Sequence, residues 1–314
     1  MAHAHHHHAP HTHSEIVGRK LTIATAANLV IVASELGIGL WADSLSLIGD
    51  ALHNLTDAVA LLLALMAVRL ARRPATEEKS FGYQRAGILA AFINGGLLLA
   101  FTAWIFVEAI ERLQTPHGVH TTAMFITATI ALIVNTATAV SLHAEGRDDV
   151  NIRSAVIHMI GDALSSAGII VAAFLIRMTG ATEWDAVISM IIGVLILWSA
   201  YGILKETVNL LLEGTPSGID PRAVTQSLGN IDGVLGVHHV HIWALGPSSP
   251  ALSAHLMVGD VPLSSTARLL GEVKEVLEHE YRIAHTTIQF EYALCAEDDP
   301  HCVPFPRKPR QGNR

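Results

Sequence analysis

Cysteine is nearly absent from this 314-residue chain, which has two. Two cannot staple a fold of this size, so a disulfide scaffold is excluded. Charge is scarce as well: 15% of residues are Asp, Glu, Lys or Arg, against 51% hydrophobic. Mean hydropathy is +0.42, which excludes a disordered chain and makes a water-facing globule untenable. Basic residues number 20 against 28 acidic, a net charge of −8, so there is no basic footprint for nucleic acid. The first fifteen residues hold no apolar stretch, and a cleavable signal peptide is not expected. His-Glu-x-x-His occurs nowhere, which argues against a zinc hydrolase and, with it, against an enzyme. What is abundant is histidine, with 19 copies. An integral membrane protein with a polar appendage is the class that remains.

Six apolar windows, near 21–42, 45–69, 87–111, 121–143, 154–178 and 185–210, predict six transmembrane helices. Each suffices to cross about 30 Å of hydrocarbon at about 1.5 Å per residue. Arg19, Lys20, Arg69, Arg72, Arg73, Lys79, Arg85, Arg147 and Arg153 flank one side, whereas the other has Arg112 and Arg177. The positive-inside rule then puts both termini in the cytoplasm. After 210 the pattern turns amphipathic, with Glu213-Gly214-Thr215-Pro216 breaking the sixth helix. A helix from Asp220-Pro221 to about Asn230, strands near 235–244, 251–258 and 286–292, and a helix over 264–281 predict an α-β-β-α-β module. The expected organisation is a His-rich tail at 1–19, a six-helix domain at 20–210, a small α+β cytoplasmic domain at 211–295, and a flexible tail at 296–314.

The second and fifth windows each contain His-x-x-x-Asp, as His53/Asp57 and His158/Asp162. Four residues is close to one helical turn, so each pair shares a helix face. One such pair reads equally well as a private hydrogen bond, but two copies at the same spacing favour a shared metal site. Together they supply a tetrahedral N₂O₂ set for Zn²⁺, and two carboxylates balance its charge. Gly49, Ala51, Thr56, Gly161, Ala163 and Ser165 are small enough to let these helices approach. Asp50 shares the face of His53 and Asp57, either as a pathway carboxylate or as a solvated residue near the helix start. Glu35 and Asn135 read as polar lining or helix glue rather than as ligands, and Asp43, Glu108 and Asp185 as hydrated groups near helix ends.

With these motifs the chain resembles the cation diffusion facilitator family of divalent-metal/proton antiporters over nearly its whole length. Further marks are Ser44-Leu45-Ser46-Leu47, Phe81-Gly82-Tyr83-Gln84-Arg85-Ala86, His239-Val240-His241-Ile242-Trp243 and Ala251-Leu252-Ser253-Ala254-His255. The resemblance implies that His53, Asp57, His158 and Asp162 bind the transported ion. It further implies that the soluble module is ferredoxin-like and that the protein is a homodimer in a bacterial inner membrane. In similar transporters, His at the first of these positions favours Zn²⁺, in keeping with the softer imidazole. A cytoplasmic regulatory site is implied at His238 or His239, His255 and Glu291, with Cys295, His301 and Cys302 able to complete a second. Arg85 and Glu213 match a charge interlock at the dimer's membrane edge.

Seven histidines among the first thirteen residues read as a metal-collecting tail or as a purification tag. The functional expectation is proton-coupled zinc efflux, with other divalent metals as further cargo. The alternative is a metal-gated membrane sensor that uses the same ligands without translocation.

Overall fold

The computed structural model describes residues 28–143 and 150–292, the first six of the second stretch by backbone alone. The His-rich tail, Cys295, His301, Cys302 and the tail at 296–314 lie outside the described residues. Apolar windows become helices because a chain without water must satisfy its backbone internally. They are α1 (Asn28–Ala42), α2 (Leu45–Ala71), α3 (Ala86–Gln114), α4 (Thr121–His143), α5 (Val150–Thr179) and α6 (Glu183–Leu211). Among the described residues, five are long and apolar enough to cross a membrane, namely α2 to α6. The described helix α1 is shorter. The chain divides into two compact units: residues up to Leu61 with Asn94–Tyr201, and Leu62–Ile93 with Gly202 onward.

In the first unit, Leu47, Met124, Ala128, Ile169, Ala173 and Ile192 join α2, α4, α5 and α6 in one buried cluster. Leu45, Ile48, Ile105, Ala109 and Ala186 join α2, α3 and α6 in another. Large side chains such as Ile133, Val140, Trp198 and Met178 point outward and exposed. An apolar surface of that kind is suited to lipid. Close approach does not run through the glycines. A Cβ at Gly49 would meet Ile105 of α3 at 3.6 Å, and one at Gly161 would meet nothing within 4 Å.

Asp185 departs from expectation. Its place in the first turn of α6 suggested hydration, but it is 1% exposed. Its carboxylate instead caps the start of α2. It accepts from Ser44 Oγ at 3.0 Å and the Ser46 amide at 3.2 Å, and also from the Leu45 amide and Ser46 Oγ. Those amides are orphan donors at a helix start, and here a residue from another helix satisfies them. Asp43, in the turn before α2, has φ 54, a left-handed conformation that Asp tolerates better than most residues. Arg112 of α3 holds that turn, donating to the Asp43 carbonyl at 2.6 Å and to Asp43 Oδ1 at 2.7 Å. Its Nε donates to Glu108 Oε1 at 2.9 Å.

The second unit includes the amphipathic module. It comprises α7 (Pro221–Gly229), β1 (Gly236–Gly246), β2 (Ser249–Met257), α8 (Leu263–Tyr281) and β3 (His285–Glu291). Asp220 caps α7 by accepting from the Arg222 amide, and Pro221 occupies the first helical position. The sheet order is β1-β2-β3. The β1–β2 pair is antiparallel and the β2–β3 pair parallel, with α8 as the crossover. Val224, Leu228, Val237, Ile242, Leu252, Leu256, Val273, Leu277 and Ile283 are buried together between helices and sheet.

Candidate functional site

In the first unit, the i,i+4 spacing on α2 and α5 points both His-Asp pairs at one place. His53 Nε2 lies 3.7 Å from Asp57 Oδ2. That same oxygen lies 3.6 Å from His158 Nε2, which in turn lies 3.6 Å from Asp162 Oδ2. The two imidazole rings meet edge-on with centroids 6.2 Å apart. Hydrogen bonds are shorter than this. Ligand atoms on a zinc tetrahedron with bonds of about 2.0–2.2 Å are separated by about 3.3–3.6 Å; three of the six separations are near that length, while no three of these four residues bring their ligand atoms within 4.8 Å of one another all at once. Asp57 Oδ2, Asp162 Oδ2 and His53 Nδ1 are buried without a hydrogen-bond partner.

Burial is graded across the four. The Asp162 side chain is 1% exposed, whereas those of Asp57 and His158 are 27% and 38%. Asp162 is thus the enclosed member of the set and His158 the most open. Thr56 Oγ1 donates to the His53 carbonyl and Ser166 Oγ to the Asp162 carbonyl. These bonds occupy carbonyls one turn back and leave the ligand atoms unengaged. The same neighbourhood contains Glu35, Asp50 and Asn54, all buried. Glu35 was expected as polar lining and is found buried. Asn54 was overlooked, although its i,i+4 spacing from Asp50 was the signal for a polar face continuing past His53.

In the second unit, His238, His255 and Glu291 converge. Among the described residues, they form the one His/Cys/Asp/Glu group whose ligand atoms all lie within 4.8 Å of one another. Register does this: His238 pairs with His255 across β1–β2, and Met257 pairs with Glu291 across β2–β3. His238 Nε2 is 3.0 Å from Glu291 Oε2, and His255 Nδ1 is 2.9 Å from Glu291 Oε1. Gln289 Nε2 donates to Glu291 Oε1 at 2.6 Å and orients the carboxylate. A bulge between His238 and His241, with His239 at φ 49, breaks the β alternation. It brings both neighbouring rings to His255: His239 stacks on it at 4.8 Å and His238 meets it edge-on at 5.3 Å. Also in this unit, Arg85 Nη2 donates to Glu213 Oε1 at 2.9 Å within one chain.

The cation efflux transmembrane domain model matches residues 21–212, and the cytoplasmic domain model of cation efflux proteins matches 216–293. The chain belongs to the cation diffusion facilitator family. This family consists of membrane transporters rather than enzymes, and the chain is accordingly an integral membrane protein with a cytoplasmic domain. The chain is 40% identical to the zinc transporter ZitB of Pectobacterium atrosepticum, over 96% of this chain and 92% of that one. It is 38% identical to the zinc transporter ZitB of Escherichia coli K12, over 96% of each. Against the cadmium, cobalt and zinc/H⁺-K⁺ antiporter of Bacillus subtilis, identity is 36% over 90% of this chain and 91% of that one. Residues matched to the transmembrane domain include all four of His53, Asp57, His158 and Asp162, and those matched to the cytoplasmic domain include His238, His255 and Glu291.

Proposed function

We propose that this facilitator exports Zn²⁺, with other divalent metals as secondary cargo, from the cytoplasm in exchange for protons. One intramembrane site made by His53, Asp57, His158 and Asp162 alternates between the two sides. The observation that carries this reading is the run of three contacts of 3.6–3.7 Å between carboxylates and imidazoles whose facing carboxylate oxygens lack any hydrogen-bond donor. The two aspartates neutralise the dication, so the loaded site can exist away from water. Zinc requires neutral imidazole, so protons compete for the same nitrogens and a lower external pH favours release. Names of relatives that include zinc transport and H⁺ antiport support the same reading.

The wider reading has six membrane spans, both termini in the cytoplasm of a bacterial inner membrane, and a homodimer. The α-β-β-α-β module is ferredoxin-like with three strands, and regulatory metal binds at His238, His255 and Glu291, whose mixed imidazole and carboxylate donors suit zinc. Arg85 and Glu213 stiffen the membrane edge of each protomer; as an exposed pair they contribute about 0–1 kcal/mol. The test is zinc flux into proteoliposomes under an imposed pH gradient. Wild type moves zinc, and His53→Ala and Asp162→Ala do not. Flux in either variant equal to wild type would remove the tetrad from the mechanism. Zinc bound by wild type without flux would leave the sensor reading in its place.

A further inference from the structure

Beside the tetrad lies a polar cluster that the transport cycle above leaves unused. Glu35 of α1 and Asp50 and Asn54 of α2 are 1%, 0% and 0% exposed. The Glu35 carboxyl is turned toward Asp50 and Asn54, and the Asp50 carboxyl toward Glu35 and Ser165 of α5. Asp162 is the other charged group acting on both. Their mutual contacts are loose: both oxygens of Glu35, both of Asp50 and both polar atoms of the Asn54 amide are buried without a well-formed hydrogen bond. Among the described residues, no Lys or Arg pairs with either carboxyl. Two buried carboxyls that share one amide are costly when ionised, because little offsets their lost hydration. A positive ion resolves all of these deficits at once.

The donor chemistry says which kind of ion. Every ligand atom on offer is oxygen: the carboxylates, the Asn54 carbonyl and the Ser165 hydroxyl. That set suits a hard divalent cation and differs from the tetrad, where imidazole favours zinc. Asp50 precedes His53 by three residues, about 4.5 Å of helix rise toward the turn between α1 and α2. We propose that Glu35, Asp50 and Asn54 form a second, all-oxygen position for the dication, adjacent to the tetrad on the path toward the α1–α2 turn. Its place on a path rests on the transport reading above, but its capacity to bind does not. Zinc held there lacks imidazole and is bound more weakly than at the tetrad. A departing ion therefore has a place to step to before it meets water.

The test uses the full-length chain in nanodiscs with Mn²⁺ as the hard-cation probe, counted by loss of the free Mn²⁺ spin-resonance signal. The background carries His53→Ala, His158→Ala, His238→Ala and His255→Ala, so that neither other site contributes imidazole. This background is expected to bind one more Mn²⁺ than the same protein with Asp50→Asn or Glu35→Gln. Asn54→Ala, which keeps both carboxyls, is expected to weaken that Mn²⁺ about tenfold. With the other sites intact, Glu35→Gln should slow zinc flux about tenfold while leaving zinc stoichiometry at the tetrad unchanged. Equal Mn²⁺ counts in all of these proteins would overturn the proposal and leave the carboxyls sharing only a proton. Loss of tetrad zinc in Glu35→Gln would overturn the path role by making the residue a support of the first site. Absence of flux in wild type would sink the transport reading instead, while the Mn²⁺ count would still decide whether the position exists.

Discussion

A carboxylate inside an apolar bundle can be held by donors or by a cation, and under the proposed function this chain uses both routes. Asp185 takes the first, with two backbone amides and two serine hydroxyls directed at it. Asp57 and Asp162 take the second, each leaving an oxygen facing imidazole at a distance too long for a hydrogen bond. The two routes predict different consequences of substitution. Asp185→Ala strands the donors that start α2 and should lower stability by about 2–4 kcal/mol with or without zinc. Asp162→Ala should remove zinc-dependent stabilisation and change the metal-free protein far less, because its buried oxygen has no partner to lose. Thermal unfolding in detergent, with and without zinc, measures both. Equal responses to zinc in the two variants would show that the distinction does not hold.

Helix α8 ends on a left-handed residue. Arg282 has φ 58, its amide donates to the Glu278 carbonyl at 3.0 Å, and the Ile283 amide donates to the Leu277 carbonyl at 2.9 Å. This is a closure of the αL type, with Ile283 buried in the same cluster as Leu277. Glycine adopts that conformation without a Cβ penalty, so Arg282→Gly should stabilise the module by about 0.5–1 kcal/mol. Chemical denaturation followed at the module's tryptophan, Trp243, measures it, and a loss of stability would mean that the arginine side chain outweighs its backbone strain. Elements of this kind show what the sequence could reveal. Strands, helices and their order followed from hydropathy periods, and α7 from Asp220-Pro221. The His-x-x-x-Asp pairs were legible because their geometry is internal to one helix turn. The cap from Asp185 was not, since it depends on where α6 meets α2. Nor was the bulge at His239, which decides which histidines gather at Glu291. A one-residue register change is invisible to an alternation pattern that contains histidine at 238, 239 and 241.

Across the whole molecule, the proposed cycle couples a divalent charge to proton-binding nitrogens, and this sets the sign of its pH dependence. A ligand set that requires two neutral imidazoles loses zinc affinity more steeply as pH falls than a set that requires one, because each nitrogen must shed a proton before it can bind. Replacing one imidazole by a carboxylate should therefore flatten the response. His53→Asp is expected to lose less affinity over the same fall in pH, since one competing nitrogen remains. It would also carry three carboxylates, one negative charge beyond the dication's, and should shift preference toward harder metals such as Mn²⁺. Zinc and manganese binding to the full chain, on a background lacking His238 and His255, measures slope and selectivity in one experiment. A wild-type slope no steeper than that of His53→Asp would mean that the two imidazoles do not both ligate the ion. Proton exchange would then have to be sought elsewhere in the bundle, with the buried carboxyls of Glu35 and Asp50 as the nearest groups able to carry it.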